Sequence, residues 1–221
     1  MSPFKSLINS SVGKKLLMAT TGLLLCLYLV IHFVGNLMLF GGEDTFNAYV
    51  DTLATIKPLV RVIEVLLALI FIGHIFFGVK LSAENKKASP YKYALNKAGE
   101  NSTIFSRSMG ITGSLLFIFL ITHLSTIWYW FQAEHSSTNF YEIVVGDTVG
   151  FGNPIITAMY SVAMILLGFH LYHGFQSAFQ TFGLRYNKYS RLIEVIAVLF
   201  WFIIPAGFFT IAFYFGVLGA R

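Results

Sequence analysis

The chain has 221 residues, 56% hydrophobic and only 11% charged, with a formal charge of +5 from 15 Lys+Arg against 10 Asp+Glu. Soluble domains carry roughly a quarter charged residues, so a soluble globular fold is excluded, and Cys26, the one cysteine, excludes an intrachain disulfide. What remains is an all-α integral membrane protein, a single domain over 1–221, because no connection between the apolar runs is long enough to fold separately.

Five runs reach the roughly 20 apolar residues that cross a bilayer, at about 14–40, 60–83, 108–132, 153–180 and 192–218, without the alternation of a barrel. The first follows Lys5, Lys14 and Lys15 like the start of a signal peptide. It is too long, has no small-residue cleavage site and contains His32, so it is expected to stay in the mature chain. Within it Met18-Ala19-Thr20-Thr21-Gly22 is followed, ten residues after the glycine, by His32. Glu43, Asp44 and Asp51 occupy the next connection, and Arg61 and Glu64 open the second span, which carries His74-Ile75-Phe76-Phe77-Gly78. The third repeats the first: Met109-Gly110-Ile111-Thr112-Gly113 precedes His123, so both read M-x-x-T-G-x9-H. It ends in Trp128-Tyr129-Trp130, which fits an interfacial aromatic belt better than a stacking site. His135 follows in a connection where solvation is the expectation. The fourth span contains His170-Leu171-Tyr172-His173-Gly174 and shares H-x-x-x-G with the second. The fifth has no histidine; Pro205 predicts a kink, and packing against the other four suffices as its role.

Basic residues set the orientation, because cytoplasmic loops carry the Lys/Arg excess. Twelve of the 15 fall on one side: Lys5, Lys14 and Lys15; Lys80, Lys86, Lys87, Lys92, Lys97 and Arg107; Arg185, Lys188 and Arg191. Lys57, Arg61 and Arg221 are on the other, where the connection from Glu134 to Gly152 carries only Glu134, Glu142 and Asp147. The N-terminus is therefore expected inside and the C-terminus outside. The positive charge is a topology signal and gives no reason to expect nucleic-acid binding.

At about 1.5 Å per residue, His32 lies roughly 27 Å past Lys14 and His123 roughly 22 Å past Ser108, both running outward. His74 lies roughly 20 Å inward from Arg61 and His170 roughly 26 Å inward from Asn153. Four consecutive spans thus supply an outer pair, His32 and His123, and an inner pair, His74 and His170. A lone membrane histidine is readily explained as a hydrogen bond to a neighbouring helix. Four in two matched layers suit two planar macrocycles, each held between facing imidazoles, and bis-histidine ligation makes a haem an electron carrier with no open position. Zinc sites gather three or four ligands in one place, which two per layer does not supply. Thr21 and Thr112 share a face with their histidines about three turns deeper, so they and Gly22 and Gly113 are expected beside the inner macrocycle, although small-residue helix packing explains the glycines as well. Gly78 and Gly174, one turn from His74 and His170, are expected to leave room beside those imidazoles. His173 has no counterpart in the second span, which selects His170 as the ligand.

These residues, with "HFVGNLMLF" and "FNAY" after the first span and "HLYHGFQSAFQTFG" closing the fourth, resemble a known family over essentially the whole chain. It is the membrane-anchor cytochrome b subunit of succinate dehydrogenases and fumarate reductases, in its single-chain, five-helix, dihaem form. The resemblance implies two haems b with axial ligands His32, His74, His123 and His170, the first span paired with the third and the second with the fourth. It implies an iron-sulfur subunit and a flavoprotein subunit on the inner face, near Tyr91, Tyr93, Tyr186 and Tyr189, in a bacterial cytoplasmic membrane. It also implies a quinone substrate, menaquinone in dihaem members. Quinone chemistry needs a proton donor, for which Asn36, Glu43, Asp44, Asp51 and Glu64 are the candidates at the outer boundary, and His173 is placed for a haem propionate or a neighbouring helix. Some members carry an acid two positions before the fourth-span ligand, where this chain has Gly168. The alternatives are the cytochrome b anchor of a hydrogenase or formate dehydrogenase, and a haem-free transporter or scaffold.

Overall fold

The structure, a computed structural model, describes residues 9–87, 103–133, 139–184 and 188–219. Lys5, Tyr91, Lys92, Tyr93, Lys97, Glu134, His135, Arg185, Tyr186 and Arg221 lie outside the described residues. Among those described every regular element is helical. Five helices are long and apolar enough to cross a membrane, at Ser11–Gly41, Lys57–Lys87, Ile104–Ala133, Pro154–Thr181 and Ser190–Gly216, which makes this a multi-pass membrane protein.

Polar caps set the first turn of three spans, and the first and third of the five start ahead of their apolar runs. Ser10 Oγ accepts from the Gly13 N–H at 2.9 Å, Thr103 Oγ1 from that of Ser106 at 3.1 Å, and Asn153 Oδ1 from that of Ile155 at 3.0 Å, with Pro154 in the first turn. The first span is α1 (Ser11–Asn36), which tightens into a 3₁₀ turn over Leu37–Gly41; Gly42, at φ 83°, then redirects the chain. Where the sequence predicts only a connection there is a further helix, α2 (Glu43–Thr55), ahead of the second span, α3 (Lys57–Lys87). The third span joins α4 (Ile104–His123) to α5 (Tyr129–Ala133) through a π turn at Leu124–Trp128. A short helix, α6 (Phe140–Val145), precedes the fourth span, α7 (Pro154–Thr181). The fifth joins α8 (Ser190–Val198) to α9 (Ile204–Gly216) through a second π turn at Leu199–Ile203.

The helices α2 and α6 pack on each other and form a cap in which Leu39, Phe46, Tyr141, Val144, Val145 and Phe215 are buried together. Asn47 bridges its halves: its amide donates to Asn139 Oδ1 at 3.1 Å, and its carbonyl oxygen accepts from the Tyr141 N–H at 3.0 Å. A Cβ on Gly35 would overlap the Tyr49 hydroxyl, so the glycine of "HFVGN" and the tyrosine of "FNAY" form one contact. Asn47→Ala removes both bridging bonds and leaves the Tyr141 N–H without its acceptor. It is expected to cost about 1–3 kcal/mol, read as a lower Tm in detergent with the helical content unchanged.

Within the membrane, α1 packs on α3 and α7, α4 packs on α7, and the fifth span runs along α7. The first and third spans, and the second and fourth, face each other across the group with little direct backbone contact. The second span buries no residue at all. At the end bearing the N-terminus, Lys14 Nζ reaches Glu84 Oε2 at 2.5 Å, with the lysine side chain only 7% exposed, so one of the basic residues counted for topology also ties α1 to α3. In the fifth span Pro205 has no N–H for the Trp201 carbonyl four residues earlier, and the helix widens into its π turn there. That carbonyl lies against Gly168 of α7, where a Cβ would come within 2.9 Å of the oxygen.

Candidate functional site

The histidines meet across the group. The rings of His32 and His123 have centroids 5.9 Å apart at an interplanar angle of 79°, and those of His74 and His170 are 6.4 Å apart at 67°. Two imidazoles bound to one metal through bonds of about 2 Å place their ring centres about 6 Å apart, so both pairs have the spacing of a bis-imidazole site. Among the described residues no three His, Cys, Asp or Glu side chains gather as a bare metal site. Each layer is therefore a pair, with one member from each of two facing spans.

The hydrogen bonds to the rings follow a pattern. Thr21 Oγ1 lies 3.1 Å from His74 Nδ1 and donates its own proton to the Leu17 carbonyl at 2.8 Å. Thr112 Oγ1 lies 3.3 Å from His170 Nδ1 and donates to the Ser108 carbonyl at 3.1 Å. Each hydroxyl proton is committed to its own helix, so each oxygen is left to accept from Nδ1–H. This puts the Nε2 lone pair of His74 and of His170 at the disposal of a metal, the usual arrangement around a ligating histidine. His123 Nδ1 lies 2.9 Å from the Tyr160 hydroxyl. The Tyr160 hydroxyl thus meets the ring on its Nδ1 side, away from Nε2.

The shared motifs explain themselves as paired surfaces. A Cβ on Gly22 would come within 3.2 Å of His74 Cε1, and one on Gly113 within 3.5 Å of His170 Cε1. A Cβ on Gly78 would meet Met18 Cε at 3.4 Å, and one on Gly174 would meet Met109 Cε at 3.7 Å. Gly78 and Gly174 receive the methionines, which sit one turn below, and Gly22 and Gly113 flank the rings. M-x-x-T-G on one span thus docks on H-x-x-x-G of the next, and these contacts of the hairpin of the first two spans recur in that of the third and fourth.

The remaining candidates disperse. Asn36 sits on His32: its Nδ2 donates to the His32 carbonyl at 2.8 Å and lies 3.5 Å from Nδ1. Glu43 is exposed and accepts from Asn139 at 2.8 Å, while Asp44 and Asp51 are exposed on α2. Glu64 alone of the four acids is half-buried. It pairs with Arg61 at 2.6 Å and accepts from Trp128 Nε1 at 3.1 Å and from Gln132 at 3.4 Å, and Arg61 also reaches Gln132. His173 is half-buried on α7, nearly a turn beyond His170. Four neighbours of the site carried no usable signal in the sequence. Tyr160 is one; Tyr28 and Phe119 stack on His32 and His123 at 5.5 and 5.9 Å; and Phe208 of the fifth span lies 5.5 Å from His32, so that span does touch the site.

The fold and the site together define a helical multi-pass membrane protein with two layers of facing histidines. No protein family, curated protein or solved structure matches the chain.

Proposed function

We propose that the chain is the dihaem cytochrome b anchor of a succinate:quinone oxidoreductase, carrying electrons between an iron-sulfur subunit and quinone. The observation that carries this reading is the pair of ring separations, 5.9 and 6.4 Å, at two separate depths. Three of the four histidines also have Nδ1 held by an oxygen, which suits ligation through Nε2. His32 and His123 would hold one haem b, and His74 and His170 the other. When bound, such a haem supplies one-electron transfer at an iron without a free coordination position. The four histidines would hold the two haems in pairs, and hydroxyl partners position three of the rings. Gly22 and Gly113 leave the space beside the rings.

In this reading the N-terminus lies in the cytoplasm of a bacterium and the C-terminus outside, following the basic residues. An iron-sulfur subunit and a flavoprotein subunit dock on the inner face, the dicarboxylate reacts at the flavin, and menaquinone is the membrane substrate. Glu64 is the best placed of the acids to exchange protons with it, being half-buried between the second and third spans. Purification of the native complex from its membrane tests the reading. The expected preparation is red, holds two haems b per chain by pyridine haemochrome, and brings a flavin-bearing subunit that oxidises succinate. A nickel or molybdenum subunit instead would mark a hydrogenase or formate dehydrogenase anchor, and a colourless protein would mark a haem-free transporter or scaffold.

The hydroxyl partners provide a further test. Thr21→Val and Thr112→Val keep shape and remove the acceptor for Nδ1–H. Each is expected to weaken haem retention in the His74–His170 layer by about 10–100-fold, with Thr→Ser variants retaining it, as measured by haem content after dilution.

A further inference from the structure

Three of the four histidines have Nδ1 within hydrogen-bond distance of an oxygen, and His32 does not. Its Nδ1 faces Asn36 Nδ2 at 3.5 Å, and the same nitrogen donates to the His32 carbonyl at 2.8 Å. Turning the amide over would press Oδ1 against that carbonyl oxygen, two acceptors in contact, so the carbonyl holds the nitrogen toward the ring. An amide N–H, which can only donate, therefore faces Nδ1 at this one histidine. The favourable tautomer carries its proton on Nε2, the nitrogen that His74 and His170 keep for a metal.

The repeat offers a comparison within the molecule. The residue ten positions before His170 is Tyr160, which supports the partner-layer histidine His123. Ten positions before His74 is Glu64, which instead bonds Arg61, Trp128 and Gln132. The hairpins match in the His74–His170 layer and differ in the other, and the difference falls on His32.

We infer that Asn36 makes His32 the weakest of the four axial ligands, so that the haem held by His32 and His123 is the exchangeable one of the two. The inference rests on the dihaem reading. Binding iron through Nε2 would move the imidazole proton to Nδ1, where it would meet the N–H groups of Asn36. Asn36 acts as a positioning residue, through the ring.

The test uses the purified haem-loaded protein in detergent, mixed with excess apomyoglobin as a haem acceptor and followed in the Soret band. Without any variant, transfer is expected in two phases of equal amplitude, the faster carrying the spectrum that His123→Ala lacks. In Asn36→Asp the carboxylate, repelled by the His32 carbonyl, turns to the ring and accepts from Nδ1–H. That variant is expected to slow the faster phase by about 10-fold or more and to lower the midpoint potential of that haem alone. Tyr160→Phe, which strips the support from His123, is expected to speed the same phase. A single phase, a faster phase belonging to the His74–His170 layer, or an Asn36→Asp protein whose faster phase and potential are unchanged would overturn the inference and leave the dihaem reading standing. Haem-free wild-type protein would overturn the reading and the inference with it.

Discussion

On the dihaem reading, His32→Ala and His123→Ala each remove one haem of two and leave the other, and His74→Ala and His170→Ala remove the complementary one. This is the expected result of titrating the four variants as pyridine haemochromes beside low-temperature spectra. Alanine takes away one of only two protein ligands in a layer, and nothing within the layer replaces it, since no third His, Cys, Asp or Glu stands beside either pair among the described residues. The other layer is spared because the two are far apart. Thr21, at the level of His74, and His32 are eleven residues apart on one helix, about 16 Å, and effects at sites separated by more than about 10 Å are usually additive. His173→Ala should keep both haems, because His170 has its ring facing His74. If all four variants keep the full haem content, the pairs are structural. If His173→Ala loses the haem that His170→Ala keeps, the ligand in the fourth span is His173.

Gly168→Glu is expected to be the most damaging single change outside the histidines. The Trp201 carbonyl, freed from its regular helical bond by Pro205, occupies the space a side chain at 168 would need, and a Cβ would stand 2.9 Å from the oxygen. Backbone cannot swing aside as a side chain can, so even Gly168→Ala must push the fifth span away from α7, at about 1–3 kcal/mol. Alanine should lower the Tm and keep both haems. Glutamate adds bulk and a carboxylate forced against a carbonyl oxygen two residues from His170, and should lose the haem of the His74–His170 layer or fail to accumulate. Heat denaturation of Gly168→Ala and haem content of Gly168→Glu check the two outcomes. A glutamate variant as stable and as red as wild type would show that the fifth span yields freely at this point. An acid at this place has no room here, so a proton path through it is not part of the proposed function.

The number of spans and the sorting of histidines by depth were legible because both follow from one-dimensional spacing: apolar run length, and 1.5 Å of rise per residue. The helix α2 was not, because its apolar residues are few and its acids at 43, 44 and 51 read as a solvated loop; only the cap shows why Phe46 and Tyr49 lie among them. Thr21 and Thr112 read from their depth as lying at the level of His74 and His170, yet the atoms they meet are imidazoles across a helix interface. No spacing along one helix reveals which atom of the next will receive a hydroxyl. Tyr160 had no signal at all, since a tyrosine in an apolar span is ordinary until its hydroxyl is seen beside His123. Asn36 reads with the acids by its nearness to the boundary, and its i,i+4 bond to the His32 carbonyl sets it beside that ring.

The repeated hairpin bears on how the chain comes together. Each layer takes one imidazole from the first hairpin and one from the second, so neither hairpin owns a complete site. The hairpins can enter the bilayer one after the other, each already zipped by its Met-on-Gly and Thr-on-His contacts. Any group that bridges a layer then becomes a rivet between two prefabricated halves. With two rivets at different depths, the halves can neither slide nor rotate past each other. Because the bridging group binds only the joined state, its concentration feeds directly into the stability of the join. Scarcity of the group would loosen the assembly between the second and third spans first, since direct packing across that seam is slight.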